Sequence, residues 1–134
     1  MYLLDTSTLS ELVKKIPNKN LITRMKQVSS DAFYTASICV MELRYGALKR
    51  RNRSDLWPNI QQHILSKLQI LSFSSEDAMN AAELLYHLQS LGHPIGIEDT
   101  MIGAIALSHG LTLVTANTKH FSRIPGLKVE NWFL

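Results

Sequence analysis

Short apolar runs alternate with stretches of helical period along the whole chain, and that alternation restricts the fold more than any other feature. Strand-like runs lie at 1–4, 33–36, 70–73 and 111–116, with a shorter one in the closing GLKVEN. Between them apolar residues recur at helical spacing: Leu21, Met25 and Val28, then Leu56, Ile60, Ile64 and Leu68, then Ala78, Ala81, Ala82, Leu85 and Leu88. Strands joined through helices pair in parallel, and a parallel sheet needs helices to cover its faces. The expected fold class is α/β, with a mostly parallel central sheet flanked by helices. At 134 residues, without an internal repeat, low-complexity segment or linker, one domain over 1–134 is expected.

Local signals punctuate this pattern. Thr8-Leu9-Ser10-Glu11 has the spacing of a capping box. Ser37 is placed to cap a helix over 37–49, and Ser54-Asp55 can start the next. Ser75-Glu76-Asp77 opens a long helix that Gly92 closes, with Pro94 beyond, and another helix spans 98–109 and stops at Gly110.

Composition narrows the setting. No apolar run approaches the roughly 20 residues that cross a bilayer, so no membrane association is expected. Cys39 is the only cysteine, which excludes an intrachain disulfide, and the N-terminus has no basic region leading into a hydrophobic signal core. A soluble, cytoplasmic protein is expected. The formal charge is +3, but Lys49, Arg50, Arg51 and Arg53 fall within five residues. Such a patch can grip RNA phosphates, and it equally suits a solvated helix end that complements the macrodipole.

Three acids stand where acids are costly or oddly framed. Asp5 directly follows the apolar Met1-Tyr2-Leu3-Leu4, at the carboxyl end of the first strand, and ligands of open α/β sheets sit beyond such ends. Asn117 follows the LTLVTA strand in the same way. Glu42 lies inside SICVMELRYGALKR; Ile38, Met41, Tyr45 and Leu48 make one apolar stripe and Val40, Leu43 and Ala47 another, leaving Glu42 beside Cys39 and Gly46. Lys49 lies farther along that stripe, roughly 10 Å on at the α-helical rise. Asp99 opens the last long helix, where an acid ordinarily caps, yet it shares a stripe with Gly103 and Ala106 that favours close packing; Glu98 is the plainer cap. Three carboxylates in one pocket repel unless a cation joins them, and oxygen-only ligands suit Mg²⁺ or Mn²⁺. The five histidines, at 63, 87, 93, 109 and 120, offer no zinc spacing and are expected mostly at surface or capping positions.

With LLDTS, SICVMELRYGA, PIGIEDTMIGAIALSHGLTLVTANTKHF and IPGLKVENW in that order, the sequence resembles the PIN-domain ribonucleases, in particular the VapC-type toxins of bacterial toxin–antitoxin pairs. The resemblance covers nearly the whole chain. It implies a PIN-like three-layer sandwich with Asp5, Glu42 and Asp99 gathered at the sheet's carboxyl edge around Mg²⁺ or Mn²⁺. The implied activity is endoribonucleolytic: water activated at the ion attacks phosphorus in line and the 3′ oxygen leaves, in structured RNA such as tRNA or rRNA loops. By motif, Thr6, Ser7 and Thr115 support the acids or a water, although helix capping explains the first two equally well. An antitoxin partner that covers the acids and a homodimer are implied as well. Two departures concern the pocket. Ser7 stands where many members carry asparagine, and Asn117 stands where many carry an acid, with His120 at a place where some toxins with that asparagine have an acid nearby.

Rival chemistries lack their residues. A haloacid dehalogenase needs a second aspartate where Ser7 stands, and a receiver domain needs an aspartate and a lysine that ILSFSS and TLVTAN do not supply. No G-x-S-x-G or Walker A pattern occurs. The remaining alternatives are a PIN-like module that binds RNA or protein without cutting, and a PIN nuclease of housekeeping RNA processing.

Overall fold

The computed structural model describes residues 1–134. Five parallel strands form one sheet: β1 (Tyr2–Leu4), β2 (Phe33–Ala36), β3 (Gln69–Leu71), β4 (Thr112–Val114) and β5 (Val129–Glu130), in the order β3-β2-β1-β4-β5. Helices α1 (Thr6–Val13) and α2 (Lys19–Lys26) link β1 to β2, α3 (Ser37–Leu48) and α4 (Leu56–His63) link β2 to β3, α5 (Ser75–Ser90) and α6 (Ile97–Ser108) link β3 to β4, and the one-turn α7 (Thr118–Phe121) precedes β5. The α/β class with a parallel sheet flanked by helices is as expected from the alternation.

The central β1 is buried at Leu3 and Leu4, and β4 beside it at Leu113 and Val114, in register Leu3↔Leu113. Their apolar side chains join Leu9, Ile102, Ile105, Phe121 and Ile124 in one continuous core. The chain leaves β1 toward β2 on one side and later returns across it to β4 on the other. The β1/β4 boundary is therefore the topological switch point, and in sheets of this kind the loops that diverge there leave a crevice at the carboxyl edge.

Element ends depart from expectation where tertiary pairing decides. The third strand stops at Leu71 rather than Phe73 because β2 stops at its partner Ala36, and β4 stops at Val114 opposite Leu4. Helix α4 ends at His63; Ile64 leaves helical geometry and a 3-10 turn, Leu65–Lys67, swings the chain into β3. The capping box at Thr8 and Glu11 does not form. Asp5 takes the N-cap position instead, the Thr8 hydroxyl turns inward to donate to the Val114 carbonyl at 2.8 Å, and Glu11 accepts from Lys14 and the Asn18 amide. A capping box exists at α5, between Ser74 and Asp77. Ser37 opens α3 without capping it, since Ala36 holds that position. Gly92 and Gly110 terminate α5 and α6 with φ of 72° and 63°, the left-handed conformation glycine adopts at low cost.

Candidate active site

Asp5 is 4% exposed at the end of β1, and the chain surrounds it with donors. Its Oδ1 accepts from the Thr8 amide at 2.9 Å and from the Ser7 hydroxyl at 2.7 Å, while Oδ2 accepts from the Thr115 hydroxyl at 2.5 Å. These bonds offset the desolvation of a buried carboxylate and fix its rotamer. Oδ1 is committed; Oδ2 keeps one lone pair. Thr115, fully buried just past β4, also receives the Asn117 amide, so the two strand ends at the switch point are laced together through one hydroxyl.

Glu42 projects from the middle of α3, which packs on α1 and α6. The Thr6 hydroxyl donates to its Oε1 at 2.6 Å, leaving Oε2 unengaged. Gly46, one turn on, faces open space, and the expected room beside the carboxylate is present. Cys39, one turn back, is buried, and that burial pushes its thiol up to about 11, so it is neutral packing rather than a nucleophile. Of the stripe Ile38, Met41, Tyr45 and Leu48, Ile38 is buried, while Met41, Tyr45 and Leu48 are each more than half exposed and turn that part of α3 to solvent.

Asp99 does not cap α6. Gly96 holds that position without a side-chain bond, and Glu98 is exposed and makes no cap either. The Asp99 carboxylate instead meets His120, with Oδ2 3.0 Å from Nε2. Burial raises its pKa above the usual 3.8; His120 opposes this, while the charges of Asp5, Glu42 and Glu98 raise it further. That Asp99 feels Asp5 and Glu42 marks the three acids as sharing one electrostatic region.

The expected Gly103 stripe does allow close approach, and its neighbour is the segment after α7. A methyl at Gly103 would run into Ile124 Cδ1. Asp99 lies four residues before Gly103 and His120 four before Ile124, so this contact sets the two polar groups side by side. The histidines were expected mostly at surface or capping positions, and His120, half-buried against Asp99, departs from that. Its signal was available: it lies three residues after the polar residue ending LTLVTAN, one helical turn from the sheet edge.

Asn117 is exposed at the N-cap of α7, but its side chain makes no cap bond. Ser7 donates to Asp5 and accepts from the Ala116 amide at 3.2 Å. The basic cluster is divided. Lys49 Nζ lies 4.6 Å from the Tyr45 ring centroid, Arg53 pairs with Asp55 at 3.3 Å, and Arg50 and Arg51 are exposed at the end of α3.

Whether these residues suit a divalent ion is decided by their donors. No three of the chain's histidine, cysteine, aspartate and glutamate side chains converge closely enough to cage an ion alone. Mg²⁺ and similar ions need no cage: one or two carboxylates, retained waters and substrate phosphate oxygens suffice. Free lone pairs on Asp5 Oδ2, Glu42 Oε2 and Asp99, together with mutual repulsion that a dication relieves, fit such a hydrated ion.

A PIN domain model matches residues 2–127. Among similar proteins, the tRNA(fMet)-specific endonuclease VapC of Salmonella typhimurium is 32% identical, covering 98% of this chain and 97% of that one. Ribonuclease VapC2 of Haemophilus influenzae is 33% identical over the same shares. Among solved structures, the DNA-bound VapBC of Salmonella typhimurium superposes with a TM-score of 0.88 at 33% identity, covering 98% of this chain and 97% of that one. FitAcB of Neisseria gonorrhoeae also gives 0.88, at 29% identity and 99% of each chain. Matches that run from end to end in sequence and structure alike make this chain a member of the PIN-domain family, among its VapC-type toxins.

Proposed function

We propose that residues 1–134 act as a single nuclease domain, an endoribonuclease that serves as the toxin of a VapBC-type toxin–antitoxin pair in the cytoplasm. What supports this reading is that Asp5, Glu42 and Asp99 come from three different elements, that the Thr6 hydroxyl beside Asp5 donates to Glu42, and that the Asp99 pKa, raised chiefly by burial, is raised further by the charges of Asp5 and Glu42. Asp5, Glu42 and Asp99 are the residues that would hold Mg²⁺ or Mn²⁺. When bound, the ion supplies Lewis acidity toward a phosphodiester and lowers the pKa of a water. The chain's own part is positional. Thr6 holds Glu42, and Ser7 and Thr115 hold Asp5, so that the free oxygens stay aimed at the crevice without reorganising as charge develops.

RNA is the substrate this reading assigns, in loops of structured molecules such as tRNA, in line with the relative named for tRNA(fMet). Arg50, Arg51, Lys49 and Arg53 provide phosphate contacts beyond the acids. An antitoxin is the protein partner, as in the VapBC and FitAcB structures. A groove of about 500 Å³ between α1, α2 and α4, lined by Leu12, Ile22, Met25, Leu56 and Ile60, offers it an apolar seat for one face of a helix. The exposed Met41, Tyr45 and Leu48 face of α3 supports a homodimer.

The test is cleavage of total RNA with Mn²⁺ and mapping of the ends. Asp5→Asn, Glu42→Gln and Asp99→Asn should each abolish cutting with the circular dichroism spectrum unchanged; a variant that cuts at the wild-type rate removes its residue from the set. Expression alone should arrest growth, and co-expression of the adjacent open reading frame should relieve it. RNA binding without cutting would favour the non-catalytic module.

A further inference from the structure

We infer that His120 is a ligand of the divalent ion, so that the site is a mixed carboxylate–imidazole centre that prefers a first-row transition ion to Mg²⁺. This rests on the nuclease reading above and concerns which ion that site takes.

Among the acids and histidines of the crevice, Asp99 and His120 are the pair already in contact, Oδ2 to Nε2 at 3.0 Å. The imidazole nitrogen therefore already stands beside a carboxylate of the site, where both could serve one ion. The backbone is also fixed. Phe121, next in the chain, is 1% exposed and packs edge-on to the His120 ring with centroids 5.9 Å apart. Ile124, packed against Gly103, secures the far end of the same segment.

Ligand chemistry then sets the preference. Mg²⁺ takes oxygen and gives up water reluctantly, whereas an imidazole nitrogen is a better ligand for transition ions. A site offering oxygen alone would discriminate little in this direction. One offering Asp99 and His120 together, with Asp5 and Glu42 adding negative charge, favours the transition ion. The rival account is that His120 only pairs with Asp99 and leaves when an ion arrives.

Untagged full-length protein is titrated calorimetrically with Mn²⁺ and with Mg²⁺, and the Mn²⁺ form is examined by pulsed electron paramagnetic resonance for nitrogen coupling. Wild type should bind Mn²⁺ more tightly than Mg²⁺ and show the coupling. His120→Ala should lose the coupling and at least about tenfold in Mn²⁺ affinity, the scale seen when metal-site partners are removed, without weakening Mg²⁺. His120→Glu should restore binding with the preference moved toward Mg²⁺. Nitrogen coupling that persists in His120→Ala, or an unchanged Mn²⁺-to-Mg²⁺ ratio in both variants, overturns the inference while leaving the carboxylate site standing. Failure of folded wild type to bind either ion overturns the nuclease reading along with it.

Discussion

The Thr6 hydroxyl donates to Glu42 Oε1 at 2.6 Å, joining the first turn of α1 to the middle of α3 across 36 positions of sequence. This bond holds one oxygen of the carboxylate and orients the other. Thr6→Val keeps the shape and deletes the donor. It should lower kcat about 10- to 100-fold with KM little changed, as loss of a group that orients a ligand does, and Thr6→Ser should recover most of the rate. Single-turnover cleavage of one RNA by the three proteins measures this.

Asp99 gives a pH dependence with a definite sign. Its folded pKa lies above 3.8, chiefly through burial, so the native state holds the proton more tightly than the unfolded chain. The stabilising contribution of this group is full below its unfolded pKa and is lost as pH rises through the raised folded value. Near neutral pH the ion-free protein therefore carries the cost of an ionised Asp99. Asp99→Asn should stabilise it there by less than about 1 kcal/mol, because a third of the side chain remains exposed. The gain should vanish in acid. Urea unfolding in a chelator at the two pH values reads both terms.

Gly103 fits its place because no side chain would. Gly103→Ala presses on Ile124, whose Cδ1 is mobile enough to yield but which is only 2% exposed. The cost should be about 1 kcal/mol, at the low end for overpacking. Thermal unfolding gives the stability. A larger loss of cleavage than of stability would show that moving Ile124 also draws His120 from Asp99.

Much of this was legible in the chain, and the limits have physical reasons. The alternation fixed the class because every helical link forces the next strand to run parallel. Asp5 could be picked out since a carboxylate after Leu3 and Leu4 needs compensation, and the compensating hydroxyls of Ser7 and Thr115 were within the quoted motifs. The helix caps were less legible. Thr8-Glu11 and Ser74-Asp77 both have capping spacing, but β1 ends one residue before Asp5, which leaves the aspartate nearer the free amides and the Thr8 hydroxyl to a strand carbonyl. His120 could be placed near the pocket, but its pairing with Asp99 was not legible, because the two lie 21 residues apart and are brought together by a Gly103–Ile124 contact that no local period encodes. Periodicity marked Met41, Tyr45 and Leu48 as part of one apolar stripe of α3, but it reports an apolar face, not what covers it, so their exposure was not legible.

The basic cluster yields a prediction that separates its members. Arg53 is paired with Asp55 and Lys49 lies over the Tyr45 ring, so each already has a partner in the free protein. Arg50 and Arg51 are exposed at the end of α3. Each phosphate contact to a single strand contributes about 0.7 to the slope of log affinity against log salt concentration. Arg50→Gln with Arg51→Gln should therefore lower that slope by about 1.4, and adding Arg53→Gln should change it less than either arginine did, because Asp55 already neutralises that charge. Binding is measured by fluorescence anisotropy over a salt series, using Asp5→Asn as the background so that RNA is not consumed. A slope that stays constant through all three replacements would assign these cations to the solvated carboxyl end of α3, where they complement its dipole and leave RNA to another surface.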